Sequence, residues 1–168
     1  MPSTTTPVEE HQARWSEIVA DSALQDLPYK VETNHRGQLV LSPHKNWHSD
    51  TQKKIRDLLD QHAPEGHRPQ EYAIVTSEGV KTADVIWASP QRKTEMEATG
   101  DPTTLAPEIC VEVMSDSNDW DEMEEKRALY REAGAEEVWV VTGEGDVRFF
   151  ADEELETSII APHFPRQI

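Results

Sequence analysis

The chain is short of cysteine, of positive charge and of long apolar runs, and each shortage excludes something. There is one cysteine in 168 residues, Cys110. No intramolecular disulfide framework can form, and its place in an apolar run suits a small buried hydrophobe, which fits a reducing cytosol. Lysine and arginine together number 16 against 33 acidic residues, a formal net charge of -17. A broadly basic surface that binds nucleic acid by charge alone is therefore excluded, and any site for a polyanion has to be local or assisted by a metal. No apolar stretch approaches the roughly 20 residues needed to cross a bilayer. The opening "MPSTTTPVEEHQARW" lacks the apolar core of a signal peptide, so a cytoplasmic protein with no membrane partner is expected. Internal repeats and low-complexity segments are also missing.

What is present suits one domain spanning 1–168, with 1–7 as a loose polar arm. A first amphipathic helix is expected from Val8 to Leu24, carrying Trp15, Ile18 and Val19. "YKVET" and "QLVLS" flank the turn "NHRG" and read as a β-hairpin. A second helix runs from about Trp47 to His62, with Ile55, Leu58 and Leu59 on one face. "EYAIVTSE" and "TADVIWAS" are strands around a tight turn, and "PQRKTEMEATGDPTT" reads as a polar loop. "EICVEVM" is a strand. The segment after it has Asp119 as N-cap, acids in its first turn, bases later and Gly134 at its end, and is the clearest helix. "EEVWVVT" and "VRFF" close as a hairpin before a short tail. The fold class that follows is α/β, a mixed central sheet flanked by helices.

Two acids break the apolar pattern. Alternation in "EICVEVM" sends Glu112 to the side of Cys110 and Met114, and in "TADVIWAS" it groups Asp84 with Ile86 and Ala88. An ionised carboxylate in such a place needs a cation, a hydrogen-bond network or an opening to solvent. Two such acids on neighbouring strands could share a hard divalent cation. Alternatively, each could face a wet sheet edge or pair with a lysine. "HKNWH" puts His44 and His48 four apart, but without a third ligand nearby a zinc site is a poor reading.

An aspartate early in a strand, a loop, then "EICVEVMS" followed by a helix carrying Lys126 and Tyr130, resembles the Uma-two family of restriction-endonuclease-like proteins in the PD-(D/E)XK nuclease superfamily. The block "APEICVEVMSDSNDWDEMEEKRALYREAGAEEVWVV" is the specific part of the likeness; the opening hairpin and "TSIIAPHF" support it. The resemblance implies a restriction-endonuclease-like fold and an endonuclease that uses Mg²⁺ or Mn²⁺ to hydrolyse phosphodiester bonds, with DNA as partner; a homodimer is an assembly open to the chain apart from that resemblance. It makes Asp84 and Glu112 the metal-binding carboxylates and adds the main-chain carbonyl of Val113 as a ligand. Two departures stand out: Ala83 replaces the proline before the aspartate, and Met114 stands where the motif lysine would be. The resemblance assigns that lysine's role to Lys126 on the following helix, the alternative being a surface pair with Glu122. Glu32, His48 and Tyr130 are accessory candidates, and Lys81, Arg92 and Lys93 are candidate contacts for the substrate backbone. The competing expectation is a catalytically silent member of the same fold, acting as a binding or regulatory module.

Overall fold

The computed structural model describes residues 7–43, 45–115 and 118–168. The expected arm, apart from Pro7, and His44 of the histidine pair lie outside the described residues. Among the described residues the order is α1 (Pro7–Ala20), β1 (Tyr29–Thr33), β2 (Leu39–Pro43), α2 (Asn46–His62), β3 (Gln70–Thr76), β4 (Gly79–Trp87), α3 (Pro90–Ala98), β5 (Ile109–Val113), α4 (Trp120–Glu132), β6 (Glu137–Val141), β7 (Val147–Phe150) and β8 (Glu154–Leu155). Strands β3 to β8 form one six-stranded sheet in chain order, while β1 and β2 form a separate hairpin. Only β5 and β6 are parallel, joined by α4 as the crossover; the other neighbours are antiparallel. This is the mixed α/β sheet that the order of apolar runs implied.

One face of the sheet packs on α2: Ile55 and Leu59 meet Val85, Ile109, Val111, Val113 and Trp139. The other face carries Ile86, Ala88, Cys110 and Val138 and is covered by Met96 of α3 and Tyr130 of α4. The alternation read in "EICVEVM" is thus the partition of the two cores. The tail is packed rather than loose, with Phe164 against Trp139 at 4.6 Å between ring centroids.

Three local readings differ. The first helix ends at Ala20, and Ser22–Leu24 is a separate 3₁₀ turn capped by Asp21, whose carboxylate accepts from the Ala23 amide. Part of the segment read as polar loop is α3. Its N-cap Ser89 accepts from the Arg92 amide and Pro90 occupies the first turn, a start signal that outweighed a weak apolar pattern in which Met96 is the buried residue. Asp84 does not share the surroundings of Ile86. The β4–β5 ladder runs from Trp87↔Ile109 to Val85↔Val111, and the Val113 amide donates instead to Asp84 Oδ2 at 2.7 Å. The carboxylate therefore lies at the end of the ladder, in reach of α2.

The β1–β2 hairpin docks on the start of β4 through side chains rather than a ladder. Thr33 Oγ1 accepts from the Val80 amide at 2.8 Å and Glu32 Oε2 from the Thr82 amide at 2.8 Å. Gly79 makes the approach, with φ of +100°, and a Cβ there would strike the Thr33 and Asn34 carbonyl oxygens. Gly79→Ala is accordingly expected to cost about 2 kcal/mol or more by urea unfolding, from left-handed strain together with the displaced hairpin; an unchanged midpoint would show that the hairpin is not held there.

Candidate active site

Five elements bring ionisable side chains to one place. Residues two apart on a strand share a side, so β1 presents Lys30 and Glu32 together. Residues four apart on a helix do the same, so α4 presents Lys126 and Tyr130 and α2 presents His48 and Gln52. Strands β4 and β5 supply Asp84 and Glu112.

A cation does stand between Asp84 and Glu112, and it is the ammonium of Lys30. Its Nζ is 3.1 Å from Asp84 Oδ1 and 2.9 Å from Glu112 Oε2. The other Glu112 oxygen, Oε1, accepts from the Tyr130 hydroxyl at 2.6 Å and lies 3.5 Å from Lys126 Nζ. Lys126 donates to Glu32 Oε2 at 2.9 Å. It is not the surface partner of Glu122, which instead accepts from Asn118 Nδ2. Asp84 Oδ1 also takes hydrogen bonds from His48 Nε2 at 3.0 Å and Gln52 Nε2 at 3.2 Å. Donation to an ionised carboxylate requires that His48 carry its proton on Nε2. Gln52 is in turn held by Gln70 through a 3.0 Å bond.

The two central carboxylates are electrostatically unlike. Burial works to raise the Asp84 carboxyl, but Lys30, His48 and the Val113 amide outweigh it and hold the group well below the usual carboxylate range. Burial dominates at Glu112, whose carboxyl is raised despite Lys126 and Lys30, with Asp84 and Glu32 adding to the rise. For Glu32, Lys30 and Lys126 overcome burial and lower it. Burial opposes the charge on Lys30 as well, yet Asp84, Glu112 and Glu32 keep its ammonium well above the ordinary lysine value. Asp84 is therefore the fixed negative charge of the cluster, and Glu112 is the acid most easily protonated.

Part of the cluster lines a cleft of about 410 Å³ between the hairpin and α4, with Lys30, Glu32, Lys81, Glu112 and Lys126 in its wall beside the acids Glu122 and Glu125. Asp84 is fully buried beneath it. Of the proposed backbone contacts, Lys81 lines the cleft and donates to the Thr33 carbonyl at 2.9 Å, its pKa lowered by burial. Arg92 and Lys93 are not among the lining residues. The Arg92 guanidinium binds the carbonyls of Ala106 and Gly134, and Lys93 pairs with Glu97. Of the pair in "HKNWH", His48 is engaged with Asp84 through Nε2, and His44 lies outside the described residues.

Lys30 and Gln52 are the site residues that the sequence reading passed over. For Lys30 the available signal was its strand parity with Glu32; for Gln52 it was its position one turn beyond His48. Among the described residues, no three of the histidine, cysteine, aspartate and glutamate side chains gather as a metal-holding group. Asp84 and Glu112 are hard oxygen donors converging on the position held by the Lys30 ammonium. That chemistry suits an ion such as Mg²⁺, which keeps several waters and takes one or two carboxylates. The position between the two carboxylates is held by the Lys30 ammonium.

The family model described as "Uma2: Putative restriction endonuclease" matches residues 21–159. The span takes in β1 to β8 and with them every residue of the cluster. None of the curated proteins matches the chain. Among solved structures, one described as a "putative nuclease belonging to DUF820" from Anabaena variabilis is similar with a TM-score of 0.58, at 14% identity, over 74% of this chain and 74% of that one. A likeness at that identity speaks for the fold alone. No helix of the described residues is long and apolar enough to cross a membrane. With a family model matched over most of its length and a sheet that carries the expected acids on adjacent strands, the chain belongs to the Uma2 family of restriction-endonuclease-like proteins.

Proposed function

We propose that this protein is a metal-dependent endonuclease that hydrolyses phosphodiester bonds of DNA at the cleft between the β1–β2 hairpin and α4. The observation that carries the reading is the convergence of Asp84, Glu112, Lys126, Glu32 and Tyr130, drawn from β4, β5, α4 and β1, in one cluster whose Glu32, Glu112 and Lys126 line a cleft. Asp84 and Glu112, with the Val113 carbonyl, would hold Mg²⁺ or Mn²⁺. When bound, the ion supplies a water of lowered pKa and positive charge for the phosphate oxygens.

The rest of the work belongs to the chain. Tyr130 fixes the Glu112 carboxylate, while His48, Gln52 and the Val113 amide fix Asp84. Glu32 holds Lys126 in the cleft wall, where its ammonium can meet the charge that develops on a phosphate. Met114, beyond the end of β5, has no proton to give and no charge, so the lysine role falls to α4. Lys81 adds a second positive charge to the wall. These few cations are the local grip that a chain of net charge -17 requires. The choice of DNA rests on the family's description as restriction endonucleases.

A second reading, a silent member of the fold that binds a partner, is favoured by one observation: Lys30 already neutralises the two carboxylates. Assays with plasmid, single-stranded DNA and RNA in Mg²⁺ or Mn²⁺ separate the two. Cleavage lost in Glu112→Gln is the expected result, and no cleavage of any substrate in either metal would overturn the nuclease reading. Either ion should also raise the melting temperature of the wild type. An equal rise in a protein carrying Asp84→Ala and Glu112→Ala would mean that the ions bind only the diffuse acidic surface.

A further inference from the structure

The position between Asp84 and Glu112 is already held by a charge that the chain itself provides. We propose that Lys30 is a built-in competitor for the divalent ion: without metal its ammonium neutralises the two carboxylates, and metal binds there only by driving it out into the cleft. The inference rests on the metal reading above and adds to it a residue that controls access to the site.

Its geometry excludes simultaneous occupancy. The ammonium nitrogen lies 2.9 and 3.1 Å from one oxygen of each carboxylate. A hard divalent ion would bind those oxygens at about 2.0 to 2.6 Å, close enough to the ammonium for strong repulsion between like charges in a buried site. Lys30 is also free to leave. It lines the cleft, so the head of its flexible four-carbon stem has space to enter. It comes from the hairpin, which joins no strand of the main sheet, so its departure breaks no ladder there. The carboxylates keep their remaining supports without it. Asp84 retains His48, Gln52 and the Val113 amide, and Glu112 retains Tyr130, with Lys126 at 3.5 Å. A framework that survives the exit of its own cation is what exchange for another cation needs.

Calorimetric titration with Mn²⁺ tests this on wild type, Lys30→Met, Lys30→Arg and the combined Asp84→Asn, Glu112→Gln variant. Lys30→Met is expected to bind Mn²⁺ on the order of tenfold tighter than wild type, because no ammonium has to be displaced. Lys30→Arg, which keeps the charge, should bind no tighter than wild type, and the carboxylate variant should lose the site. Equal affinity of Lys30→Met and wild type, with both dependent on the carboxylates, would overturn the competitor role and leave the metal reading standing. Absence of carboxylate-dependent binding in every protein would overturn the metal reading and this inference with it. Should Lys30→Met not fold, the wild type still decides the matter: lysine-directed ¹⁵N NMR should show the Lys30 ammonium signal shift or exchange-broaden as Mg²⁺ saturates the site, and an unchanged signal at saturation would sink the proposal.

Discussion

Lys126→Met is expected to slow metal-dependent cleavage by about 10²- to 10³-fold, the usual cost of removing one preorganised electrostatic group. Binding of Mn²⁺ should persist, since Asp84 and Glu112 are untouched. Viewed from the sequence, the same substitution would leave stability nearly unchanged, because a Glu122–Lys126 surface pair is worth little. The structure revises that expectation. Lys126 is mostly buried and serves Glu32 at 2.9 Å and Glu112 at 3.5 Å, both of them buried acids. Removing it leaves those acids short of a cation and should cost about 2 to 3 kcal/mol, discounted from a fully buried pair because the ammonium still touches the cleft. Single-turnover kinetics, Mn²⁺ calorimetry and urea unfolding of the one variant test all three statements. Cleavage at the wild-type rate would remove Lys126 from the chemistry, and loss of Mn²⁺ binding would show that its task is to hold Glu112 in place. Glu122→Ala is the control, expected to change neither rate nor stability appreciably.

The larger stability effect belongs to Asp84. Asp84→Ala should cost about 3 to 5 kcal/mol at neutral pH, because it leaves a buried ammonium short of a counter-ion. It also takes the acceptor from His48, Gln52 and the Val113 amide. The effect has a pH signature. The Asp84 carboxyl is held well below the ordinary range, so the stability it contributes is complete above its unfolded pKa of about 3.9 and is lost as pH falls from there towards the folded value. The gap between wild type and Asp84→Ala should therefore narrow, by about 1 kcal/mol at pH 3 relative to pH 7. Urea unfolding at the two pH values measures it; a gap that stays constant would mean that the Asp84 carboxyl titrates alike in the folded and unfolded chain, and a gap that widens at pH 3 would mean that it is protonated in the folded protein.

Much of the site was legible before any coordinates. The period of two in "EICVEVM" separated Ile109, Val111 and Val113 from Cys110 and Glu112, and the two cores divide along that line. Period, caps and turn residues placed α2, α4 and both hairpins closely, because these are governed by contacts between residues near in sequence. Asp84 and Glu112 were legible as misfits, since a charge in an apolar run must be accounted for whatever the fold. The four-residue spacing of Lys126 and Tyr130 showed that they share a helix face, and that face is the one turned to Glu112.

Other features were decided by tertiary structure. Nothing near Lys30 in sequence indicates that its partners lie 54 and 82 residues away; the pairing exists because the β1–β2 hairpin docks on β4 and turns that face inward. The partners of Asp84 on α2 and at the Val113 amide come from elements distant in the chain, and which of them meet its carboxylate depends on how helix and strands pack in space rather than on the pattern of its own strand. Arg92 looked like a phosphate ligand by charge alone, but the folded chain spends it on the carbonyls of Ala106 and Gly134. Local pattern determines which face a side chain occupies, because backbone geometry repeats over a few residues. Which cation meets which carboxylate is set by the packing of distant elements, and here that packing placed a lysine in the position that the sequence alone had offered to a metal.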